Sequence, residues 1–319
     1  MTTGPHRGQP PDLVRDAGVV DVDRAGLRAG ERVLVTGHRG LVGQAVVSAL
    51  RSAGLTAVGL DLADGDDITD PATARERIRD CSGVVHLAAV DDEPDERNPL
   101  TPATTGNLAQ VLATNVGGTS QLLAAAAGAA VRRVVFMSSV DVLGCFMGQG
   151  RPQYLPIDDH HPVSPRGPYA WSKLAGEELC AAFTRATGVA TVCLRPPGVF
   201  TADTYAFIRS AREHDAEFEW SPIWEYGAFV DARDLAAAVV AALTVTGLLG
   251  HHRVLLCAHD ISSASDDSLT LAGRLVPEVP VIAMARFARQ RFAALLDSAG
   301  ARRLLGWQPE HPWRPADHG

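Results

Sequence analysis

From residue 32 onward, short runs of β-branched and other apolar residues alternate with longer stretches rich in Ala and Leu. Such runs predict buried parallel strands, and the longer stretches predict helices that cover the sheet. The predicted strands are residues 32–36, 56–61, 83–88, 133–138 and 190–195, and the predicted helices are residues 41–53, 108–129, 169–187 and 231–243. This order of elements predicts an α/β fold with a doubly wound parallel sheet.

Changes in this pattern divide the chain into expected domains. Residues 1–30 are rich in Pro, Gly, Arg and Asp and are predicted to form a loosely held extension. Within residues 200–228 the periodicity weakens and aromatic residues gather, which indicates a segment that lines a ligand site. These aromatic residues are Tyr205, Phe207, Phe218, Trp220, Trp224 and Tyr226. We expect a main domain over residues 31–199, to which residues 229–258 return, and a small lobe formed by residues 200–228 and 259–319.

Composition and charge exclude several classes of protein. Of the 319 residues, 46% are hydrophobic and 21% are charged, which is ordinary for a globular protein. The formal net charge of -8 argues against a nucleic-acid partner, because such a surface needs clustered Lys and Arg. The five cysteines lack a close Cys-x-x-Cys spacing, which favours packing roles over zinc binding or disulfides. Residues 1–30 contain no apolar run long enough for a signal peptide or membrane span, so we expect a cytoplasmic protein with no membrane partner.

A glycine-rich string, Thr-Gly-His-Arg-Gly-Leu-Val-Gly at residues 36–43, follows the first predicted strand and opens the first predicted helix. Gly37, Gly40 and Gly43 therefore stand where backbone must turn tightly and approach a pyrophosphate. The first amides of the helix, beginning at Leu41, favour that anion. Asp61 ends the second strand at about the 20-residue spacing expected of the acidic residue that binds the adenosine ribose. The sequence thus predicts a dinucleotide site.

The choice between NAD and NADP depends on two residues of this site. Asp61 would repel a 2′-phosphate, which favours NAD. Arg39, inside the glycine string, keeps NADP possible because its guanidinium could clamp a 2′-phosphate, and this loop resembles that of NADP-using GDP-fucose synthases. Alternatively, Arg39 pairs with Asp61 or with solvent. We predict NAD as the cofactor.

Further motifs follow in an order that resembles the NAD-dependent epimerase/dehydratase family of extended short-chain dehydrogenases. After the glycine string they are Asp67-Ile68, Leu87-Ala88-Ala89, Asn115 within Asn-Val-Gly-Gly-Thr, Ser139, the pair Tyr169 and Lys173, and Pro196-Pro197-Gly198-Val199. The resemblance covers residues 31–309 and implies a Rossmann sheet with a small C-terminal substrate lobe. It also implies that Asp67 and Ile68 contact the adenine. The remaining cofactor contacts that it implies are Leu87, Ala88, Ala89, Lys173, Pro196, Gly198 and Val199.

The resemblance implies a catalytic group formed by Ser139, Tyr169, Lys173 and Asn115. On one helix, Tyr169 and Lys173 are four residues apart and share a face, so the ammonium can lie near the phenol and the nicotinamide ribose. This positive charge favours the phenolate, which removes the alcohol proton while hydride leaves the same carbon. Ser139 and Tyr169 would contact the substrate, and Asn115 would support the site. By spacing alone a routine helix pair is the commoner interpretation, but the ordered motifs favour catalysis.

Asp141 marks a departure from the dehydratases of the family. Those enzymes carry Thr-Asp-Glu where this chain has Ser139, Val140 and Asp141, so the expected acid is missing and dehydration is disfavoured. Asp141 could replace the Glu of that set, although a capping or turn role is equally consistent with the sequence.

A second departure concerns the arginine with which nucleotide-sugar members grip a diphosphate. Residues 226–228 read Tyr-Gly-Ala instead, although Arg209, Arg212 or Arg233 could replace that clamp. We therefore predict an NAD-dependent oxidoreductase that transfers hydride at a carbinol carbon of a small sugar-like substrate, resembling that of the uronate dehydrogenases. A nucleotide-sugar epimerase is the alternative. A non-catalytic NAD(P)-sensing regulatory protein is a third hypothesis, disfavoured because the catalytic side chains are present.

Three further predictions concern assembly and metals. The resemblance implies a homodimer formed through helices 108–129 and 169–187. No metal is expected, because the Asp-Asp-His-His string at residues 158–161 places ligands side by side, and adjacent side chains rarely converge on one ion. That string and residues 91–93 and 251–252 are interpreted as exposed loops or turns.

Overall fold

A six-stranded parallel sheet forms the centre of the molecule, of which this computed structural model describes residues 25–91, 94–95, 98–102, 108–146, 148–215 and 225–314. The strands are β1 (Arg32–Thr36), β2 (Thr56–Leu60), β3 (Gly83–His86), β6 (Arg133–Met137), β7 (Ala190–Arg195) and β10 (His251–Leu255), in the spatial order β10-β7-β6-β3-β1-β2. Two short pairs accompany it, β4 (Pro94–Asp95) with β5 (Asn98–Pro102) and β8 (Val199–Phe200) with β9 (Val230–Asp231). The predicted doubly wound parallel sheet is confirmed. Residues 1–24, Phe218, Trp220 and Trp224 lie outside the described residues.

Helices lie on both faces of the sheet. They are α1 (Leu41–Ser52), α2 (Pro71–Arg77), α3 (Leu108–Val111), α4 (Thr119–Ala127), α5 (Pro168–Thr187), α6 (Ala202–His214), α7 (Ala232–Thr244), α8 (Ser268–Leu275), α9 (Met284–Arg289) and α10 (Ala299–Leu305). The helix predicted over residues 108–129 is interrupted between α3 and α4 by a π-helical segment, Leu112–Gly118. None of the described helices is long and apolar enough to cross a membrane.

Alternate residues of the buried strands enter two different cores, as the two-residue period of a strand requires. Val33 and Val35 of β1 pack with α1 and α7, whereas Leu34 between them packs with α2, α4 and α5. A further core includes Phe146 and Leu295, and the only residue of the six sheet strands in it is Leu255 of β10. All five cysteines are buried and free, which confirms their packing role.

The chain passes from β1 to β2 on one side and then returns to β3 on the other side of β1. In sheets of this kind ligands bind in the crevice outside the carboxyl ends of the strands where the order reverses. Gly37 follows β1 and Leu87 follows β3, so both residues lie at that crevice. The topology therefore places the glycine turn where a ligand site is expected.

The segment after β8 differs from its prediction. Residues 202–214 form the regular helix α6, which begins with a capping box between Thr201 and Thr204. Tyr226, predicted to line a ligand site, is buried in a core, and its hydroxyl donates to the main-chain oxygen of Cys145 at 2.6 Å. Burial accordingly raises the pKa of Tyr226.

Two histidine-containing strings also differ from their predictions. His161 is buried rather than exposed, and its Nε2 accepts a hydrogen bond from the amide of Gln153 at 2.9 Å. His251 and His252 lie half-buried on β10, not in an exposed turn. Among the described residues, no three His, Cys, Asp or Glu side chains come together as a metal site.

Candidate active site

The glycine turn brings three main-chain segments into close contact. Gly37 has a φ of +69°, and a Cβ on it would lie 2.8 Å from the amide nitrogen of Ala88. A Cβ on Gly43 would lie 2.2 Å from the main-chain oxygen of Gly37. Neither position can hold a larger residue without displacing backbone. These glycines are therefore required by the packing of β1, α1 and the segment after β3.

Gly40 serves a different purpose at the start of α1. It is the N-cap of that 12-residue helix and offers no side-chain acceptor to the first amides. A Cβ on Gly40 would lie 3.4 Å from its nearest neighbour, the main-chain oxygen of Gly37, and Gly40 borders the crevice. The helix start thus presents amides and a positive dipole end to that space. An anion fits there.

Two cavities share this turn. The first, about 570 Å³, is lined by Asp61, Asp66, Asp67 and Ile68 and is called the acidic cavity. The second, about 490 Å³, is lined by Ser139, Tyr169 and Lys173 and is called the tyrosine cavity. Both are bordered by Gly37, Gly40, Leu87 and Ala89, so they form one groove across the carboxyl ends of the strands.

Asp61 directly follows β2 and lines the acidic cavity. Its Oδ1 accepts from the amide of Ala63 at 3.0 Å, and its Oδ2 accepts from the amide of Arg39 at 2.9 Å. Each oxygen keeps a second lone pair for a further donor. The Arg39 guanidinium pairs with Asp64, at 2.6 Å between Nε and Oδ1, and not with Asp61 or solvent, the alternatives to a phosphate clamp that the sequence left open. Asp64 had not been singled out from the sequence.

Asp67 and Ile68 line the acidic cavity. The Asp67 Oδ1 accepts from both the amide and the hydroxyl of Thr69, at 2.8 Å each. Ile68 is buried, and its Cγ2 occupies the place where a Cβ on Gly118 would lie. Leu87, Ala88 and Ala89 form the opposite wall.

Tyr169 and Lys173 lie one turn apart on α5 and face the tyrosine cavity. The Lys173 Nζ lies 5.2 Å from the centre of the Tyr169 ring and donates to the main-chain oxygen of Met137 at 2.8 Å. Burial lowers the pKa of Lys173 to about 8, although the charges of Asp91 and Asp141 oppose this effect. The ammonium is therefore held beside the phenol by the end of β6.

Asn115 lies within the π-helical segment and joins the groove to α5. Its Nδ2 donates to the main-chain oxygen of Val90 at 2.8 Å and to the Ser172 hydroxyl at 2.9 Å. Its Oδ1 accepts from the amide of Val90 at 2.7 Å. Ser172 lies between Tyr169 and Lys173, so Asn115 fixes the segment after β3 against the helix that carries both. π-Helical turns are frequent at functional sites.

Ser139 follows β6 and caps a short helical turn, residues 140–143. Its hydroxyl donates to Oδ2 of Asp141 at 2.9 Å and accepts from the amide of Asp141 at 3.2 Å. Asp141 is thus both a turn residue and a direct partner of the candidate catalytic hydroxyl. The sequence had left its role open.

The neighbouring serine, Ser138, belongs to a buried charge network. Its hydroxyl donates to Glu177 at 2.6 Å, and Glu177 also binds the Arg195 guanidinium through two hydrogen bonds of 2.8 and 2.7 Å. Arg253 from β10 lies 2.9 Å from the same carboxylate. Glu177 lies on the same face of α5 as Tyr169 and Lys173, one turn further along the helix. The network therefore fixes the position of the helix that carries both residues.

Two acidic residues near the site were not recognised as such from the sequence. Asp91 is exposed, as predicted, and it also lines the tyrosine cavity, whereas residues 92 and 93 lie outside the described residues. Glu225 lies against Gly198, whose amide donates to its carboxylate, and burial raises the pKa of Glu225 to about 8. Neither shows a local sequence signal, because both reach the site through folding.

The three arginines considered as phosphate clamps are placed elsewhere. Arg233 forms a two-point ion pair with Asp231, and Arg212 donates to the main-chain oxygen of Ser262 while stacking on Trp313. The Arg209 guanidinium lies about 6.0 Å from the Trp313 ring. None of the three lines either cavity. The geometry therefore gives no support to a clamp built from them.

Comparison with known proteins places most of the described sheet within one family. Residues 33–255 match the NAD dependent epimerase/dehydratase family. The UDP-glucose 4-epimerase of Streptomyces lividans is 33% identical over 178 residues, which cover 50% of this chain and 50% of that protein. That of Azospirillum brasilense is 29% identical over 194 residues, covering 55% and 51%. The chain matches about half the length of these curated relatives.

Solved structures share the fold. A short-chain dehydrogenase/reductase superfamily protein from Agrobacterium tumefaciens, solved with bound NAD, aligns with a TM-score of 0.63 and 24% identity. The alignment covers 89% of this chain and 94% of that chain. At this identity the similarity shows a shared fold, and any argument about chemistry depends on the side chains of the groove.

Proposed function

Because the chain belongs to the NAD-dependent epimerase/dehydratase family, we propose that it transfers hydride between NAD and a carbinol carbon of a sugar-like substrate. The observation that carries this proposal is that Tyr169, Lys173 and Ser139 line one cavity with the glycine turn. A nucleotide bound at the turn would therefore reach the candidate catalytic side chains.

The residues of the groove fit a dinucleotide. Asp61 would accept the ribose hydroxyls and Ile68 would border the adenine in the acidic cavity. Gly40 and the amides of α1 would hold the pyrophosphate. Pro196 and Val199 line the tyrosine cavity, and Gly198 between them lies against Glu225, so this segment would border the nicotinamide. Bound NAD supplies the acceptor for the hydride.

Proton transfer is assigned to Tyr169. Its phenolate removes the hydroxyl proton of the substrate, and the nearby Lys173 ammonium stabilises that negative charge. While Ser139 donates to Asp141, its oxygen can only accept a hydrogen bond from the substrate. As the carbonyl forms, the Ser139 hydroxyl would turn from Asp141 to the substrate oxygen.

The substrate is proposed to be a small sugar or polyol, because neither cavity is lined by the three arginines considered as diphosphate clamps. A nucleotide-sugar epimerase is the second candidate, favoured by the similarity to UDP-glucose 4-epimerases. Residues 31–199 with 229–258 would bind the cofactor, and residues 200–228 with 259–319 would bind the substrate.

We place the protein in the cytoplasm as a homodimer. Leu112 and Trp171 lie near the starts of the two long helical stretches and are 39% and 46% exposed. These side chains support a contact through residues 108–127 and α5.

A Tyr169→Phe variant tests the proposal. We expect it to lose turnover while binding NAD as the wild type does, measured by calorimetry and by absorbance of reduced cofactor. Wild-type protein is assayed against free sugars, uronic acids and nucleotide sugars. A dehydrogenase releases reduced cofactor, whereas an epimerase converts substrate without net reduction. Unchanged turnover in Tyr169→Phe would contradict the assigned role.

A further inference from the structure

Asp64 binds two side chains of the glycine string and lies three residues after Asp61, which lines the acidic cavity. Its Oδ1 accepts from Nε of Arg39 at 2.6 Å, and Nη2 of Arg39 contacts the same oxygen. Its Oδ2 lies 3.2 Å from Nε2 of His38. Both carboxylate oxygens are therefore occupied by residues of the loop that approaches the nucleotide. The hydrogen bond from Arg39 lowers the pKa of Asp64, which keeps the carboxylate charged at neutral pH.

The main chain of Arg39 is fixed, but its side chain is not buried. The amide donates to Oδ2 of Asp61 at 2.9 Å, and the main-chain oxygen accepts from Nε2 of Gln44 at 2.8 Å. The side chain is 58% exposed. Asp64 therefore determines where the guanidinium lies, although the backbone of Arg39 touches the carboxylate that would meet the ribose.

We propose that Asp64 determines the coenzyme preference by holding Arg39 away from the position of a 2′-phosphate. This inference rests on the proposed binding of NAD. A guanidinium binds phosphate through two parallel hydrogen bonds, and here the edge formed by Nε and Nη2 is directed at Asp64, which fixes the position of the whole group. Asp61 disfavours the 2′-phosphate by its own charge, and Asp64 removes the cation that could compensate. Two acidic residues thus select NAD by different means.

The test measures dissociation constants of NAD⁺ and NADP⁺ by calorimetry, on protein freed of bound nucleotide. Asp64→Asn should raise the preference for NADP⁺, as the ratio of the two constants, by about fivefold, because exposed ion pairs are weak and are screened by salt. The rise should disappear in Asp64→Asn with Arg39→Gln. Asp66→Asn is the matched control: Asp66 lies two residues after Asp64, lines the acidic cavity and carries the same charge, but pairs with Arg77 at 2.8 Å.

The proposal would be overturned if the preference for NADP⁺ rose equally in Asp64→Asn with and without Arg39. An equal rise in Asp66→Asn would also overturn it, because either result would mean that only the loss of negative charge matters. An unchanged ratio in Asp64→Asn would overturn it as well, while normal NAD⁺ binding would leave the proposed cofactor site intact. Failure of the wild type to bind either nucleotide would instead contradict the proposed function, and this inference with it.

Discussion

The Lys173 ammonium nitrogen donates to the main-chain oxygen of Met137 at 2.8 Å, which ties α5 to the end of β6. Met137 precedes the two serines of the site, so this one hydrogen bond couples the position of the ammonium to that of the candidate hydroxyl. Lys173 also has few other positions available to its side chain, because the residue is only 3% exposed. Its charge is therefore presented to the phenol in one fixed place.

Replacing Lys173 by Met should remove that charge and leave the volume nearly filled. We expect kcat for alcohol oxidation to fall by about 10²- to 10⁴-fold, the range for loss of assisted proton transfer. The unpaired oxygen of Met137 should cost about 1–3 kcal/mol in the free energy of unfolding. Steady-state kinetics and urea unfolding measure the two effects. A kcat within about threefold of wild type would contradict the role of the ammonium.

The pH profile should show the titration of Lys173. Because burial lowers its pKa to about 8, the ammonium is present at lower pH and is lost as the pH rises through that value. We expect kcat/KM for alcohol oxidation to fall above about pH 8. Asp91→Asn removes a carboxylate that raises this pKa, so the fall should begin at lower pH. Asp66→Asn makes the same charge change at the acidic cavity and should not change the pH at which kcat/KM begins to fall.

The two adjacent serines should respond differently to substitution by Ala. Ser139→Ala removes a hydroxyl that lines the tyrosine cavity and is proposed to contact the substrate, and it should lower kcat/KM by about 10²-fold or more, with NAD affinity unchanged. Ser138→Ala removes a buried donor to Glu177 and should lower the free energy of unfolding by about 1–3 kcal/mol. Activity at low temperature should survive in the second variant. Equal losses of activity in both variants would contradict this division.

Two neighbouring glutamates on α5 provide a matched pair for stability. Glu177→Gln breaks a fully buried ion pair and leaves Arg195, 3% exposed, without its carboxylate. We expect a loss of about 3–5 kcal/mol in the free energy of unfolding. Glu178→Gln removes a partner of Arg253 that is 62% exposed and should change stability by less than about 1 kcal/mol. Urea unfolding at pH 7 compares them, and similar losses would contradict the importance of burial.

The inner strands of the sheet were predictable because they are buried on both faces, whereas the edge strand β10, half-buried over its first three residues, was interpreted as a turn. Residues 32–36 and 190–195 have apolar centres, and the strands β1 and β7 have these same bounds. The glycine turn was predictable because the backbone packs so closely against Gly37 and Gly43 that neither position can hold a side chain. Such steric restrictions determine the residue type locally and are therefore visible in the sequence.

Other features depended on contacts between distant residues. Asp64 meets Arg39 across 25 positions, and Asp91 reaches Lys173 only because β3 and α5 converge on one cavity. Helix α6 was missed because a single buried residue, Ile208, marks its inner face, so it lacks a clear apolar period. No local pattern could have supplied these contacts.

The π-helical segment Leu112–Gly118 limits how this protein can be engineered. A wider turn holds one residue more than an α-helix would, so deleting a residue to regularise the helix would change the directions of the side chains inside the segment, while the helices on either side keep their orientation. Asn115 would then point away from Val90 or lose Ser172. A redesign that replaces the π-helical segment by a regular α-helix would thus break the contacts of Asn115 with Val90 or Ser172. We expect such a redesign to gain thermostability at the expense of turnover.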